Sequence, residues 1–118
     1  CTGRMDPLFV VKALLSGADG VLVSGCHPRD CHYSEGNFYA RRRLEVLKQF
    51  LPVTGIDPER FEYTWVSASE GQKWQEVVTK FTERIHRLGP SPASRHASSL
   101  IIPASPGRES PAVAAQMP

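Results

Sequence analysis

Hydrophobic and polar residues alternate along residues 6–24 in a pattern that predicts one helix and one strand. The helix begins at Asp6-Pro7, because aspartate caps helices and proline suits the first helical position, and Gly17 ends it. Its apolar residues recur at helical spacing and comprise Leu8, Phe9, Val10, Ala13 and Leu14. The β-branched run from Gly20 to Ser24 is typical of a buried parallel strand.

The next part of the pattern predicts a second helix and a second strand. The helix extends from Glu35 to about Leu51, and its apolar side comprises Phe38, Leu44, Leu47 and Leu51, with Val46 and Phe50 beside them. Residues 61–66 read as a strand, because alternate positions on one face are aromatic: Phe61, Tyr63 and Trp65.

A third helix follows, and it has the clearest periodicity in the chain. The string from Ser67 to Glu70 is a capping-box pattern, and Gly89-Pro90 ends the helix. Apolar residues recur in it at steps of three and four: Trp74, Val77, Val78, Phe81, Ile85 and Leu88. We expect Trp65 and Trp74 to pack in the core.

This order predicts an α/β fold, a small layered structure with three helices and a short parallel sheet. Two strands are few for a sheet that covers three helices, so we expect a further strand upstream of Cys1 and interpret the chain as a fragment. The folded domain is expected to span residues 1–89. Residues 90–118 are rich in Pro, Ser and Ala and lack aromatics, which predicts a disordered tail.

Charge and hydropathy exclude two classes of partner. The chain has 14 Lys and Arg against 12 Asp and Glu, a formal net charge of +2, which is too balanced to indicate nucleic-acid binding. Apolar runs are too short for a transmembrane helix, and no secretory leader is recognisable. We therefore expect no nucleic acid, no membrane insertion and a cytoplasmic location.

The candidate chemistry lies in three cysteines, Cys1, Cys26 and Cys31. Two of them follow the first strand and the third would follow the strand inferred upstream, so all three are expected at one edge of the sheet. Thiolates bind soft metals, and four thiolates are the usual ligands of an iron–sulfur cluster. A fourth ligand would come from His27, His32, another chain or an upstream segment.

Four other interpretations of these cysteines stay open at this point. They are a Cys26–Cys31 disulfide, buried cysteines without a ligand role, a structural zinc site, and a catalytic thiol activated by a neighbouring histidine. No catalytic residue is assigned. The basic run Arg41 to Arg43, together with Arg4, is either a solvated surface or a group of cations beside a negatively charged cluster.

Several uncommon strings occur in an order that resembles a known family. They are Cys1-Thr2-Gly3-Arg4, Asp6-Pro7, Gly17-Ala18-Asp19-Gly20-Val21, Gly25-Cys26-His27-Pro28, Asp30-Cys31-His32-Tyr33, Gly36-Asn37, Arg42-Arg43, residues 55–60 and residues 65–71. Together they resemble the delta subunit of methyl-viologen-reducing hydrogenase, also called the iron–sulfur subunit of the F420-non-reducing hydrogenase. The resemblance covers about residues 1–90.

The resemblance implies electron transfer in an anaerobe such as a methanogen. It implies a [2Fe–2S] cluster, with Cys1, Cys26 and Cys31 as candidate ligands and metal-binding residues. It also implies hydrogenase subunits and a heterodisulfide-reductase-like flavoprotein as partners. Arg29 departs from the family pattern, where glycine is common, and family members carry a further cysteine-containing segment at the N-terminus, so the cluster held by this chain alone is expected to be incomplete.

Overall fold

The computed structural model describes residues 1–93 of the chain, and these form three helices and a two-stranded parallel sheet. The regular elements are α1 (Pro7–Leu15), β1 (Val21–Gly25), α2 (Gly36–Phe50), β2 (Phe61–Trp65) and α3 (Gly71–Leu88). Short 3₁₀ turns occur at Thr2–Arg4, Leu51–Thr54 and Pro58–Arg60. The predicted α/β class and element order are confirmed. The predicted strand upstream of Cys1 lies outside the sequence, and the predicted tail lies outside the described residues from 94 onwards.

The two strands run parallel, and α2 makes the connection between them. Their register pairs Val21 with Phe61 and Gly25 with Trp65. The sheet therefore ends with Gly25 and Trp65 side by side, and the loops after both strands leave from the same edge. The loop after β1 carries Cys26 and Cys31, so this edge carries the candidate chemistry.

The hydrophobic core lies between one face of the sheet and the helices α1 and α2. The Asp6 carboxylate caps α1 by accepting the Leu8 N–H at 2.9 Å, as the Asp6-Pro7 pattern predicts. The buried core residues from these elements and the adjoining turn are Val10, Leu14, Val23, Leu44, Leu47, Leu51 and Phe61. This core holds the start of α2 against the end of β1.

Several residues predicted to be apolar core positions are exposed instead. Trp74 is 39% exposed, Trp65 is only half-buried, and Phe38, Val46 and Phe50 on α2 are exposed. Only Phe81 is buried on α3. For α3 the physical reason is the width of the sheet, because two strands offer too little apolar surface to cover the full face of an 18-residue helix. None of the helices in residues 1–93 is both long enough and apolar enough to cross a membrane.

Candidate thiol site

Two of the three cysteines meet at the carboxyl edge of the sheet. The sulfurs of Cys1 and Cys31 lie 3.3 Å apart although 30 residues separate them in the chain. Cys31 is buried, with 7% exposure, whereas Cys1 is exposed. All three cysteines are free, so the Cys26–Cys31 disulfide considered from the sequence is absent, and the sulfur contact joins Cys1 to Cys31 instead.

A close approach of two glycines brings Cys1 to this position. A Cβ atom on Gly3 would lie 2.7 Å from Cα of Gly36, so the turn Thr2–Arg4 rests directly on the first turn of α2. A Cβ atom on Gly36 would lie 2.6 Å from the sulfur of Cys1 and 3.4 Å from that of Cys31. The absence of side chains at these glycines therefore makes room for the two thiols.

Two hydrogen bonds fasten the segment that carries Cys1. The Gly3 N–H donates to the Cys1 sulfur at 3.3 Å, and the Arg43 guanidinium donates to the Gly3 carbonyl oxygen at 2.9 Å. Of the three arginines in the basic run, Arg43 thus has a structural contact with the site. Arg4 lies beside Cys1 in a groove of about 610 Å³, which is lined by Cys1, Gly3, Arg4, Tyr33, Ser34, Glu35, Gly36 and Tyr39.

The third cysteine joins the group through a buried asparagine, Asn37, which the sequence shows only within the string Gly36-Asn37 and without an assigned role. The amide nitrogen of Asn37 lies 3.3 Å from the sulfur of Cys26, and the Asn37 oxygen lies 3.9 Å from the sulfur of Cys1. A sequence signal for this residue did exist. Asn37 shares the buried face of α2 with Ala40, Leu44 and Leu47, and a polar residue at core spacing indicates a specific buried partner.

The two histidines of the loop have other partners. Nε2 of His27 lies 2.6 Å from a carboxylate oxygen of Glu70, which links the loop after β1 to the loop after β2. His32 is exposed and packs edge-on against Tyr33, with ring centroids 5.1 Å apart. The structure therefore gives each histidine a contact of its own, and neither contact is with a cysteine sulfur.

The capping box predicted at Ser67 is only half present. Helix α3 begins at Gly71, three residues later than that pattern predicts, and the Ser67 hydroxyl lies 3.0 Å from the Ser69 hydroxyl instead of capping the helix. The other half holds, since Glu70 accepts the Ser67 N–H at 2.8 Å. That hydrogen bond, followed by the one with His27, lowers the pKa of Glu70 to about 2.

The low pKa of Glu70 makes part of the stability depend on pH. Because the folded pKa of about 2 lies below the ordinary value of 4.5, Glu70 stabilises the fold above pH 4.5, and this contribution is lost as the pH falls towards 2. We expect Glu70→Gln to flatten the acid side of the profile of unfolding free energy against pH, measured by urea unfolding. Glu83→Gln, at an exposed carboxylate on α3, is the control and should leave the slope unchanged. Equal acid slopes for wild type and Glu70→Gln would contradict the assignment.

The donor set is suited to part of an iron–sulfur site. Within residues 1–93, no group of three or more His, Cys, Asp or Glu side chains is arranged to hold a single metal ion. Iron–sulfur clusters are held by cysteine thiolates, and all three cysteines here are free, two of them with their sulfurs 3.3 Å apart. Three thiols are one short of the usual four.

Comparisons with known proteins agree with this chemistry. The family model for "Methyl-viologen-reducing hydrogenase, delta subunit" matches residues 1–89. The chain is 53% identical over 90 residues to an F420-non-reducing hydrogenase iron-sulfur subunit of Archaeoglobus profundus, and the match covers 76% of this chain and 66% of that protein. It is 46% identical over 90 residues to the vhc iron-sulfur subunit of the F420-non-reducing hydrogenase of Methanococcus voltae, with 76% of this chain and 62% of that protein covered.

A second kind of relative is much longer. The chain is 44% identical over 90 residues to a subunit of the ferredoxin:CoB-CoM heterodisulfide reductase of Methanosarcina mazei, and the match covers 76% of this chain and 11% of that protein. The chain therefore spans about two thirds of the hydrogenase subunits that it matches and about a tenth of the reductase protein.

Proposed function

This chain belongs to the methyl-viologen-reducing hydrogenase delta-subunit family, and from that membership we propose that it is an iron–sulfur electron-transfer subunit. In this proposal Cys1, Cys26 and Cys31 supply thiolate ligands to a [2Fe–2S] cluster, and the chain carries no substrate pocket of its own. The contact between the sulfurs of Cys1 and Cys31 carries the proposal. Relatives of this chain are named iron–sulfur subunits, and two free thiols in contact are groups that can bind iron together.

The residues around the proposed cluster have different roles in binding it. The cluster, when bound, accepts and releases single electrons, and its ligands are deprotonated cysteines. The Gly3 N–H donates to the Cys1 sulfur, which stabilises negative charge there, and the burial of Cys31 keeps water away from the inner side of the site. The fourth ligand is His27 or His32, a residue outside those that the structure describes, or a residue of a partner.

We place the partners at the exposed side of the site, where Cys1 borders the groove with Arg4 and Tyr39. The proposed partners are hydrogenase subunits and a heterodisulfide-reductase-like flavoprotein, between which electrons pass. This is supported by relatives that are named as components of both enzymes. It is also supported by the exposure of Cys1, since a short distance to the protein surface favours electron exchange. The proposal includes a location in the cytoplasm, because thiols stay reduced there and remain able to bind iron.

A second candidate function follows from the same sulfur contact. Two thiols 3.3 Å apart are close enough to form a disulfide after a small movement, so Cys1 and Cys31 also suit a dithiol that exchanges with a disulfide substrate. The two candidate functions can be distinguished by composition, because a cluster contains iron and sulfide and a dithiol contains neither.

Anaerobic reconstitution of the full chain with iron and sulfide tests the proposal. We expect iron and sulfide in equal amounts and a visible absorbance spectrum, both strongly reduced in Cys31→Ser and unaffected in Thr82→Ser, an exposed change on α3. Protein that binds zinc without sulfide would overturn the iron–sulfur assignment in favour of a structural metal site. Protein that takes up no metal and cycles between two thiols and a Cys1–Cys31 disulfide would establish the second candidate instead.

A further inference from the structure

We propose that Asn37 is a positioning residue of the thiol site, which holds Cys26 in place through a hydrogen bond from its side-chain amide to the Cys26 sulfur. The effect of this bond on electron transfer rests on the proposed function, whereas the bond itself belongs to the metal-free chain. The residue lies at the second position of α2, directly after Gly36, where the segments that carry all three cysteines come together.

Burial and neighbours determine which way the amide of Asn37 points. The side chain is fully buried, with 0% exposure, so its polar atoms depend on protein partners. Its nitrogen faces the carbonyl oxygens of Cys26 and His27, the latter at 3.2 Å, together with the Cys26 sulfur at 3.3 Å. Carbonyl oxygens only accept hydrogen bonds, so the NH₂ group must face them and the amide oxygen must face Cys1.

The loop between β1 and α2 needs such an anchor. Residues 26–35 contain no helix or strand, and two non-glycine residues in it, Arg29 and Ser34, have positive φ angles of 79° and 53°. A loop with this backbone is held in one conformation only by specific contacts. Asn37 binds the first two carbonyl oxygens of this loop and so connects the loop to α2. The contact of His27 with Glu70 connects the loop to the one after β2.

Asn37 supplies a hydrogen-bond donor to Cys26 but not to Cys1. The Asn37 N–H donates to the Cys26 sulfur, and such a bond is strong when the sulfur ligates iron and carries negative charge. Cys1 faces the amide oxygen of Asn37 and receives its own N–H donor from Gly3. In a cluster, a hydrogen bond to a ligand sulfur offsets negative charge and raises the reduction potential, so Asn37 would raise it through Cys26.

The amide contact is tested on the metal-free, reduced chain by NMR. We expect the side-chain NH₂ protons of Asn37 to exchange slowly with solvent, and Cys26→Ala to shift their resonances more than Cys31→Ala does. Fast exchange, or an equal response to the two cysteine variants, would overturn the proposal whether or not the chain binds a cluster. This separates a failure of the inference from a failure of the proposed function.

The redox consequence is tested on the reconstituted chain with two replacements. Asn37→Leu keeps the approximate shape without a donor, and Asn37→Asp keeps the size but replaces the nitrogen by oxygen. Both are expected to shift the reduction potential to more negative values and to lower the iron content severalfold. Gln72→Leu is the matched control, because Gln72 is an exposed amide at the same second position of α3, and it should leave both values unchanged. Wild-type potential and iron content in both Asn37 variants would overturn the redox role.

Discussion

Gly36→Ala is expected to separate the sulfurs of Cys1 and Cys31 and to weaken the binding of iron by roughly 10- to 100-fold, the usual effect of losing support around a metal ligand. The added Cβ atom would lie 2.6 Å from the Cys1 sulfur, so the thiol has to move. The fold should be unharmed, because the displaced atom is the end of a side chain. Alanine is also the better helix former, by up to about 1 kcal/mol.

Two measurements check this expectation. Iron and sulfide are determined after anaerobic reconstitution, and the metal-free protein is oxidised mildly to see how much Cys1–Cys31 disulfide forms. Gly71→Ala is the control, since Gly71 opens α3 as Gly36 opens α2 and a Cβ atom there would meet nothing within 4 Å. If Gly36→Ala bound iron and formed the disulfide as readily as the control, the close contact at Gly36 would have no role in the site.

Arg60→Met is expected to lower the free energy of unfolding by about 3–5 kcal/mol, because hydrogen bonds to a charged group contribute about 1.5–3 kcal/mol each and two of its bonds are short. Arg60 is 5% exposed. Its guanidinium donates to the carbonyl oxygens of Asp19 and Gly89, each at 2.9 Å, and to those of Leu88 and Pro90 at longer range. Arg60 thus ties the end of α3 to the segment before β1.

Denaturant unfolding measures the loss, with the midpoint and the slope reported separately. Arg60→Lys keeps the charge but not the planar fork, so we expect an intermediate loss, and this variant provides a value if Arg60→Met fails to fold. Arg87→Met, an exposed arginine near the end of α3, is the control and should stay within about 0.5 kcal/mol of wild type. Equal stability of the Arg60 and Arg87 variants would exclude the role of the buried guanidinium.

Most of the fold could be predicted from local patterns. Helix α1 and its Asp6 cap, the extent of α2, both strands and the parallel class agree with the sequence to within one or two residues. Predictions were wrong where a side chain of the local pattern binds a residue that is distant in the sequence. At the start of α3, the Glu70 carboxylate accepts from Ser67 and pairs with His27, and no local pattern contains that histidine.

The candidate site was predicted in part. The sequence predicted that Cys26 and Cys31 follow the first strand of a parallel sheet, and in the structure both lie in the loop at that edge. The sequence did not distinguish which thiols meet, and the string Gly36-Asn37 was noted without a role for Asn37. The contact between Gly3 and Gly36 was not predicted. These depend on how the turn Thr2–Arg4 packs against α2, which involves residues more than thirty positions apart.

By itself, then, the sequence determined the elements, the α/β class and the thiol character of the site. Hydrophobic periodicity, caps and residue chemistry are properties of short stretches of chain. Only the tertiary structure decided that Cys1 contacts Cys31, that a buried amide holds Cys26, and that much of α3 stays exposed. Those outcomes depend on which surfaces pack together, and a glycine or an asparagine acquires its role only when a distant segment lies against it.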